Sequence, residues 1–250
     1  MHLTEATWPD AASAETDLAV LPVGSTEQHG PHAPLGTDHL AAAAVAEAGV
    51  AAYDGDVVVA PTLPVGVAEE HRHFAGTLWL GEDTFRAAVS ETVASLAHHG
   101  WDRVVVVNGH GGNTAPLREA CARLSRDGDA YTVPFTWFDA VDADDADALP
   151  DDAGMGHGGA VETSLIRHLH AHLVDEGKFE DASENGASGW GEWQSGTNLA
   201  YDTAEFSDSG VVGDPGQSSA EAGAQLLDAA AASLAELLAA VEHRDRSETA

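Results

Sequence analysis

Short apolar runs alternate along this chain with longer stretches of helical spacing. Residues 18–23 (Leu-Ala-Val-Leu-Pro-Val), 57–60, 104–107 and 130–138 read as strands, the first and third apolar throughout, as strands buried on both faces are. Between them, residues 37–50, 82–99 and 114–126 read as helices, and Gly100 stands where a C-cap would close the second. Residues 161–174 and 220–241 repeat the helical pattern, the last as a long Ala/Leu segment. Strands alternating with helices predict right-handed crossovers and a mainly parallel sheet covered on both faces, an α/β fold. No internal repeat or dividing linker breaks the pattern, so one domain over 1–250 is expected. Residues 61–78 read as a loop with its own histidines, and the acidic run 139–152 as a solvated loop. The Gly-, Ser-, Asp- and Trp-rich segment 181–216 reads as an excursion able to cap a site, and 244–250 as a frayed tail.

Charge changes this picture. The chain carries 42 Asp+Glu against 10 Lys+Arg, a formal net charge of −32, yet 44% of it is hydrophobic and patterned, which argues for a folded protein. Such surplus carboxylate suits a protein of a salt-rich cytoplasm, where ionic strength screens self-repulsion. It excludes nucleic acid as a partner, because neutralising phosphates needs clustered Lys and Arg. Cys121 is the only cysteine and lies in an apolar-periodic segment, so it reads as a small buried residue, and no internal disulfide is possible. The first residues lack a basic n-region and apolar h-region, and no apolar stretch is expected to approach the ~20 residues of a membrane span. A soluble cytoplasmic protein without a membrane partner is the expectation.

Candidate chemistry gathers in glycine-rich loops after the strands. Residues 24–39 place Glu27, His29 and Asp38 just beyond the first strand, and residues 108–113 (Asn-Gly-His-Gly-Gly-Asn) bring His110 after the third. In parallel α/β folds, loops at the carboxyl ends of strands converge on one ligand site. Glu27 and His29, separated by one residue, point to the same side of an extended backbone, while the Pro- and Gly-rich turn 31–36 returns Asp38 toward them. Carboxylates and imidazoles so gathered suit a divalent-metal site that activates water for hydrolysis, with Asp38 as bridge, Glu27 and His110 on one ion and His29 on the other. A third loop holds His157 and Glu162, the latter in the first turn of a helix, where an acid also favours the dipole. Asn108, Gly109, Gly111 and Gly112 serve either as turn formers or as a turn whose N–H groups approach substrate.

The segments Gly-Ser-Thr-Glu-Gln-His-Gly-Pro-His (24–32) with Gly-Thr-Asp (36–38), Asn-Gly-His-Gly-Gly-Asn (108–113) and His-Gly-Gly-Ala-Val-Glu-Thr-Ser (157–164) resemble the creatininase family of amidohydrolases. So do Glu-His-Arg-His-Phe-Ala-Gly-Thr (70–77) and Gly-Asp-Pro (213–215). The resemblance implies a three-layer α/β/α sandwich, a homo-oligomer from dimer to hexamer, and two divalent ions (Zn, Mn or Fe(II)) hydrolysing an amide C–N bond of a small molecule. It implies metal ligation by Glu27, Asp38 and His110 at one ion and His29 and Asp38 at the other. It also implies proton transfer by His157, and Glu162 as a ligand or a carboxylate that orients one. Asn108, Gly111, His71 and Arg72 are the candidate substrate contacts, with His73 nearby.

Two departures count against creatinine as substrate: Gly112 and Gly156 stand where creatinine-cleaving members carry Glu. The loop at 108–113 is more similar to an archaeal deformylase of a formamidopyrimidine ribonucleotide in flavin and deazaflavin synthesis, or to a mycofactocin maturation peptidase. Of these the deformylase is the expectation, on the inferred salt-adapted setting. The alternatives are the peptidase, a cyclic-amide hydrolase, and a metal-binding homologue without catalysis. A Ser or Cys hydrolase has little support, since no Gly-x-Ser-x-Gly elbow occurs.

Overall fold

Four parallel strands, in the order β2-β1-β3-β4, form the centre of a computed structural model that describes residues 1–128, 130–141, 145–150 and 153–244. They are β1 (Leu18–Val23), β2 (Val58–Val59), β3 (Arg103–Asn108) and β4 (Tyr131–Thr136). The register pairs Val23 with Asn108 and Asn108 with Thr136, so three strands end level and their following loops share one edge.

Alternate strand residues serve opposite layers, which is why β1 and β3 are apolar throughout. Leu18, Val20, Val105 and Val107 pack with α2 (Thr37–Ala52), α5 (Ala160–His170) and α7 (Ala220–Glu242). Ala19, Leu21, Val104 and Val106 pack with α3 (Glu82–His98) and α4 (Thr114–Asp127). This is the three-layer α/β/α sandwich expected. Cys121 is buried in the second layer, where burial pushes its thiol up to about 12, the state of an inert packing residue.

Several boundaries differ from the sequence reading. The fourth strand ends at Thr136 because the chain turns through a 3₁₀ segment that buries Trp137. The helix expected over 161–174 stops at His170 and continues as a 3₁₀ turn, Ala171–Leu173. The acidic loop is anchored rather than fully solvated: Ala146, Leu149 and Ala153 are buried against the α7 layer, while 142–144 and 151–152 lie outside the described residues. Beyond Arg244 the expected tail also lies outside them. The excursion holds α6 (Phe179–Glu184) and a small hairpin of β5 (Trp193–Gln194) and β6 (Thr197–Asn198); a short α1 (Trp8–Ala12) precedes the sheet.

The expectation on apolar stretches needs correction. By length and composition α7 could cross a membrane, with 23 residues and a mean hydropathy of 1.5 over its most apolar window. That apolarity is one-sided, and Leu226, Leu234 and Leu238 are buried in the core between α7 and its neighbours.

Candidate metal centre

The loop after β1 doubles back on itself. Glu27 N–H donates to Leu35 O (2.9 Å), and this closure brings Asp38, in the first turn of α2, over Glu27. β3 delivers His110 from the adjacent strand end. There Asn108 accepts from His110 N–H (3.1 Å) and donates from Nδ2 to His110 O (2.8 Å), clamping the turn. His157 is held by paired backbone bonds with Val212 (2.9 and 2.8 Å), and Glu162 follows in the first turn of α5. The 3₁₀ turn Glu69–His71 supplies His71.

All seven side chains (Glu27, His29, Asp38, His71, His110, His157 and Glu162) are buried. Asp38 lies at the centre, Oδ1 3.0 Å from His29 Nε2 and Oδ2 3.1 Å from His110 Nδ1. Glu27 Oε1 is 3.2 Å from His110 Nδ1, 3.5 Å from His71 Nε2 and 3.7 Å from His157 Nδ1. Glu162 Oε2 approaches His29 Nε2 at 3.7 Å and accepts Gly158 N–H at 2.6 Å.

Electrostatics follow from that crowding. Burial pulls His29 down, but Asp38, Glu162 and Glu27 outweigh it and raise it to about 10. Burial likewise opposes protonation of His110, and Glu27 and Asp38 carry it well above the usual value. Asp38 is held far below the ordinary carboxylate range by His29 and His110, against the effect of burial. Burial raises Glu27, and it raises Glu162 to about 7. Burial, with His29 beside it, keeps His157 neutral; burial and His110 lower His71 to about 3.

Among the described residues, both Glu27 oxygens, His29 Nε2 and Asp38 Oδ2 are buried without a hydrogen bond of good geometry, facing only the charged groups just described. Orphaned polar atoms cost free energy unless something satisfies them, and these converge on one place. Ligand atoms of Glu27, Asp38 and His110 all lie within 4.8 Å of one another, as do those of His29, His157 and Glu162. With Asp38 offering one oxygen to each side, the donor set fits two divalent ions; mixed carboxylate and imidazole ligands suit Zn, Mn or Fe(II).

The description of creatinine amidohydrolase that defines the creatininase family matches residues 4–238. The chain belongs to the creatininase family. It is 41% identical over 167 residues to a mycofactocin precursor peptide peptidase of Mycolicibacterium smegmatis, a match spanning 64% of this chain and 61% of that relative's length. To a creatinine amidohydrolase of Pseudomonas putida it is 32% identical over 196 residues, 71% of this chain and 75% of that one. The fold superposes on a solved Trp→Phe variant of creatininase with a TM-score of 0.83 and 26% identity, covering 97% and 99% of the two chains. Solved creatininases at 25% identity include a Zn–Zn form and a Mn form, in keeping with a two-ion centre.

A cavity of about 320 Å³ opens onto the centre, lined by Glu70, His71, His110, His157, Glu162, Phe138, Met155 and Trp190 among others. Of the residues expected to face substrate, His71 and Gly111 line it. Asn108 does not, being spent on holding His110. Arg72 does not either: its guanidinium pairs with Asp202 at 2.7 Å on the exposed side of the loop, beside His73. Glu70 was not anticipated; its carboxylate lies 3.9 Å from His110 Nε2, and its adjacency to His71 in the Glu-His-Arg-His motif was the available signal. The two departures from creatinine-cleaving members have a structural cause. A Cβ at Gly112 would fall against the Val67 carbonyl that accepts His110 Nε2–H, and one at Gly156 against the Val212 carbonyl that anchors His157.

Proposed function

We propose that this creatininase-family hydrolase is a two-metal enzyme that cleaves a peptide-like amide. The observation that carries the substrate class is the cavity wall: it presents Glu70, Glu162 and apolar Phe138, Met155 and Trp190, with no Lys or Arg among the described residues that line it. Binding a ribonucleotide phosphate calls for cationic donors, so this wall disfavours the formamidopyrimidine deformylase expected from sequence. The similarity to mycofactocin precursor peptide peptidases points the same way. The exposed Trp193 (61%) and Tyr201 (82%) of the excursion support a homo-oligomer, and the surface charge supports a salt-rich cytoplasm.

Two divalent ions, when bound, supply a polarised amide carbonyl and a water acidified toward neutrality. Asp38 spans both halves of the site, with Glu27 and His110 on one side and His29 and Glu162 on the other. His157 Nε2–H is fixed to Gln28 O at 2.6 Å, which leaves Nδ1 facing inward as an acceptor. From there His157 takes the proton of the attacking water and passes it to the departing nitrogen. Trp190, edge-on to His157 at 5.9 Å, walls the cavity above it.

The test is hydrolysis of short unblocked peptides by protein stripped with chelator and reloaded separately with Zn, Mn and Fe(II), with creatinine and the formamidopyrimidine ribonucleotide in parallel. Peptide cleavage that vanishes with chelator and in Asp38→Ala is expected, with a loss on the order of 10²–10⁴ in rate for His157→Ala. Turnover of the ribonucleotide alone would restore the deformylase. Two bound ions and no turnover of any compound would leave a metal-binding protein without catalysis.

A further inference from the structure

Four histidines meet at the centre, and their outward nitrogens divide them three to one. His29 Nδ1–H donates to Glu27 O (3.2 Å), His110 Nε2–H to Val67 O (2.6 Å) and His157 Nε2–H to Gln28 O (2.6 Å). A carbonyl only accepts, so the outward nitrogen of each ring keeps its proton. The inward nitrogen is the one that can offer a lone pair to an ion or act as a base, at His29 and His110 once its own extra proton is displaced.

His71 is wired the opposite way. Its Nδ1 lies 2.8 Å from Gln28 Nε2 and 3.1 Å from Thr203 Oγ1. The Gln28 amide is oriented by two backbone bonds: Oε1 accepts from Gly30 N–H (2.8 Å), and Nε2 donates to Gly210 O (2.9 Å). Reversing it would oppose donor to donor and acceptor to acceptor. His71 Nδ1 therefore accepts, and the ring proton sits on Nε2. That nitrogen is buried and without a hydrogen-bond partner among the described residues, in a residue that lines the cavity. The nearest carboxylate oxygen, Glu27 Oε1, is 3.5 Å away. With Nδ1 held as an acceptor, freeing a lone pair on Nε2 would leave an anionic imidazolate, whereas His29 and His110 give up one proton and stay neutral. His71 thus leaves the ligand set, although its place beside Glu27 and His157 would otherwise admit it.

We infer that His71 is a catalytic hydrogen-bond donor of this site, presenting Nε2–H to the carbonyl oxygen of the scissile amide as that oxygen gains negative charge. The inference rests on the amide-hydrolase reading. His71 keeps its proton throughout; it lends a hydrogen bond that strengthens as charge develops, the kind of preorganised donor that lowers a barrier. The ring cannot turn away, because it is buried, stacked on His157 (centroids 4.2 Å apart, planes at 19°) and tied at Nδ1 from two directions. Thr203 makes one of those ties from the excursion, so the capping segment helps fix the donor.

The test takes the full chain, ¹⁵N-labelled at histidine and reloaded with Zn²⁺, as wild type, His71→Ala and His71→Gln. In wild type, the ring signal missing from the variants should show a protonated Nε2 and a bare Nδ1. His71→Ala should bind as many Zn²⁺ per chain as wild type. On the peptide that wild type cleaves fastest, its kcat should fall on the order of 10²–10³-fold at unchanged KM, the cost of removing one such donor. His71→Gln, which keeps an N–H, should recover part of the loss. A Zn-shifted His71 Nε2, loss of an ion in His71→Ala, or an unchanged kcat overturns the inference. Should the variants fail to fold, the wild-type spectrum still decides between donor and ligand. Should wild type cleave nothing, the hydrolase reading fails and the catalytic role falls with it, while the spectrum separately reports the tautomer.

Discussion

Protons distinguish a metal centre from a cluster of buried polar side chains. His29, raised to about 10 by Asp38, Glu162 and Glu27 against the pull of burial, and His110, raised by Glu27 and Asp38, both hold a proton at neutral pH that an incoming ion must displace. Zn²⁺ affinity is therefore expected to climb with pH up to about 10. Calorimetric titration near pH 7 in two buffers of different ionisation enthalpy should report proton release; equal heats would refute it. The ion-free fold behaves in the complementary way. Because the His29 value rises on folding from an ordinary 6.5, its contribution to stability is complete below 6.5 and disappears as pH approaches 10. A second residue-scale prediction concerns Gly112, whose Cβ would push against the Val67 carbonyl bonded to His110. Gly112→Ala should displace His110 and lower occupancy of the Glu27–Asp38–His110 side, read as ions per chain. The convergence of Glu27, His29, Asp38 and His110 was legible in the sequence because short loops at strand ends hold them. The wiring of His71 was not, since Gln28 lies 43 residues away and Thr203 132. Nor was the diversion of Arg72, which depends on Asp202 folding back over it.

At the scale of elements, local pattern and tertiary packing divided the information unequally. Strands buried on both faces announce themselves as unbroken apolar runs, so β1 and β3 were readable almost to the residue. The end of β4 was not, because the apolar run continues through Trp137, whose side chain belongs to the core although its backbone has left the sheet. The excursion was equally opaque, being ordered by backbone bonds to distant residues, such as Ala187 N–H to Val211 O (2.9 Å), and by no periodicity of its own. α7 shows how one face of a helix can matter more than its mean hydropathy. Leu234 is fully buried, and the space it fills is the one left by Gly49 of α2, where a Cβ would meet its side chain. Leu234→Ala should destabilise by about 2–5 kcal/mol, the usual range for a buried Leu losing its contacts. Chemical denaturation of the metal-loaded protein checks this, with the denaturant slope expected to hold; a midpoint unmoved from wild type would place α7 outside the cooperative core.

For the whole molecule, the decisive quantity is a formal net charge of −32 on 250 residues. Six of the ten cations are already engaged: Arg72, Arg86, Arg103, Arg118, Arg123 and Arg167 each pair with a carboxylate. Salt acts on both kinds of contact. It weakens exposed pairs, each worth about 0–1 kcal/mol, and it screens repulsion among the far more numerous unpaired acids. With 42 acidic residues against 10 basic ones, repulsion dominates, so the net effect of screening must be stabilising. The thermal midpoint is therefore expected to rise with KCl, most steeply at low concentration. The screening length shrinks from about 10 Å at 0.1 M to about 3 Å at 1 M, shorter than most distances between surface charges. Scanning unfolding from 0.05 to ~3 M KCl, with ion content held constant, tests this directly. A rise that levels near 1 M would identify screening as the cause. One that continues would require exclusion of salt from the protein surface, and a flat or falling midpoint would show that the ion pairs outweigh the surplus charge.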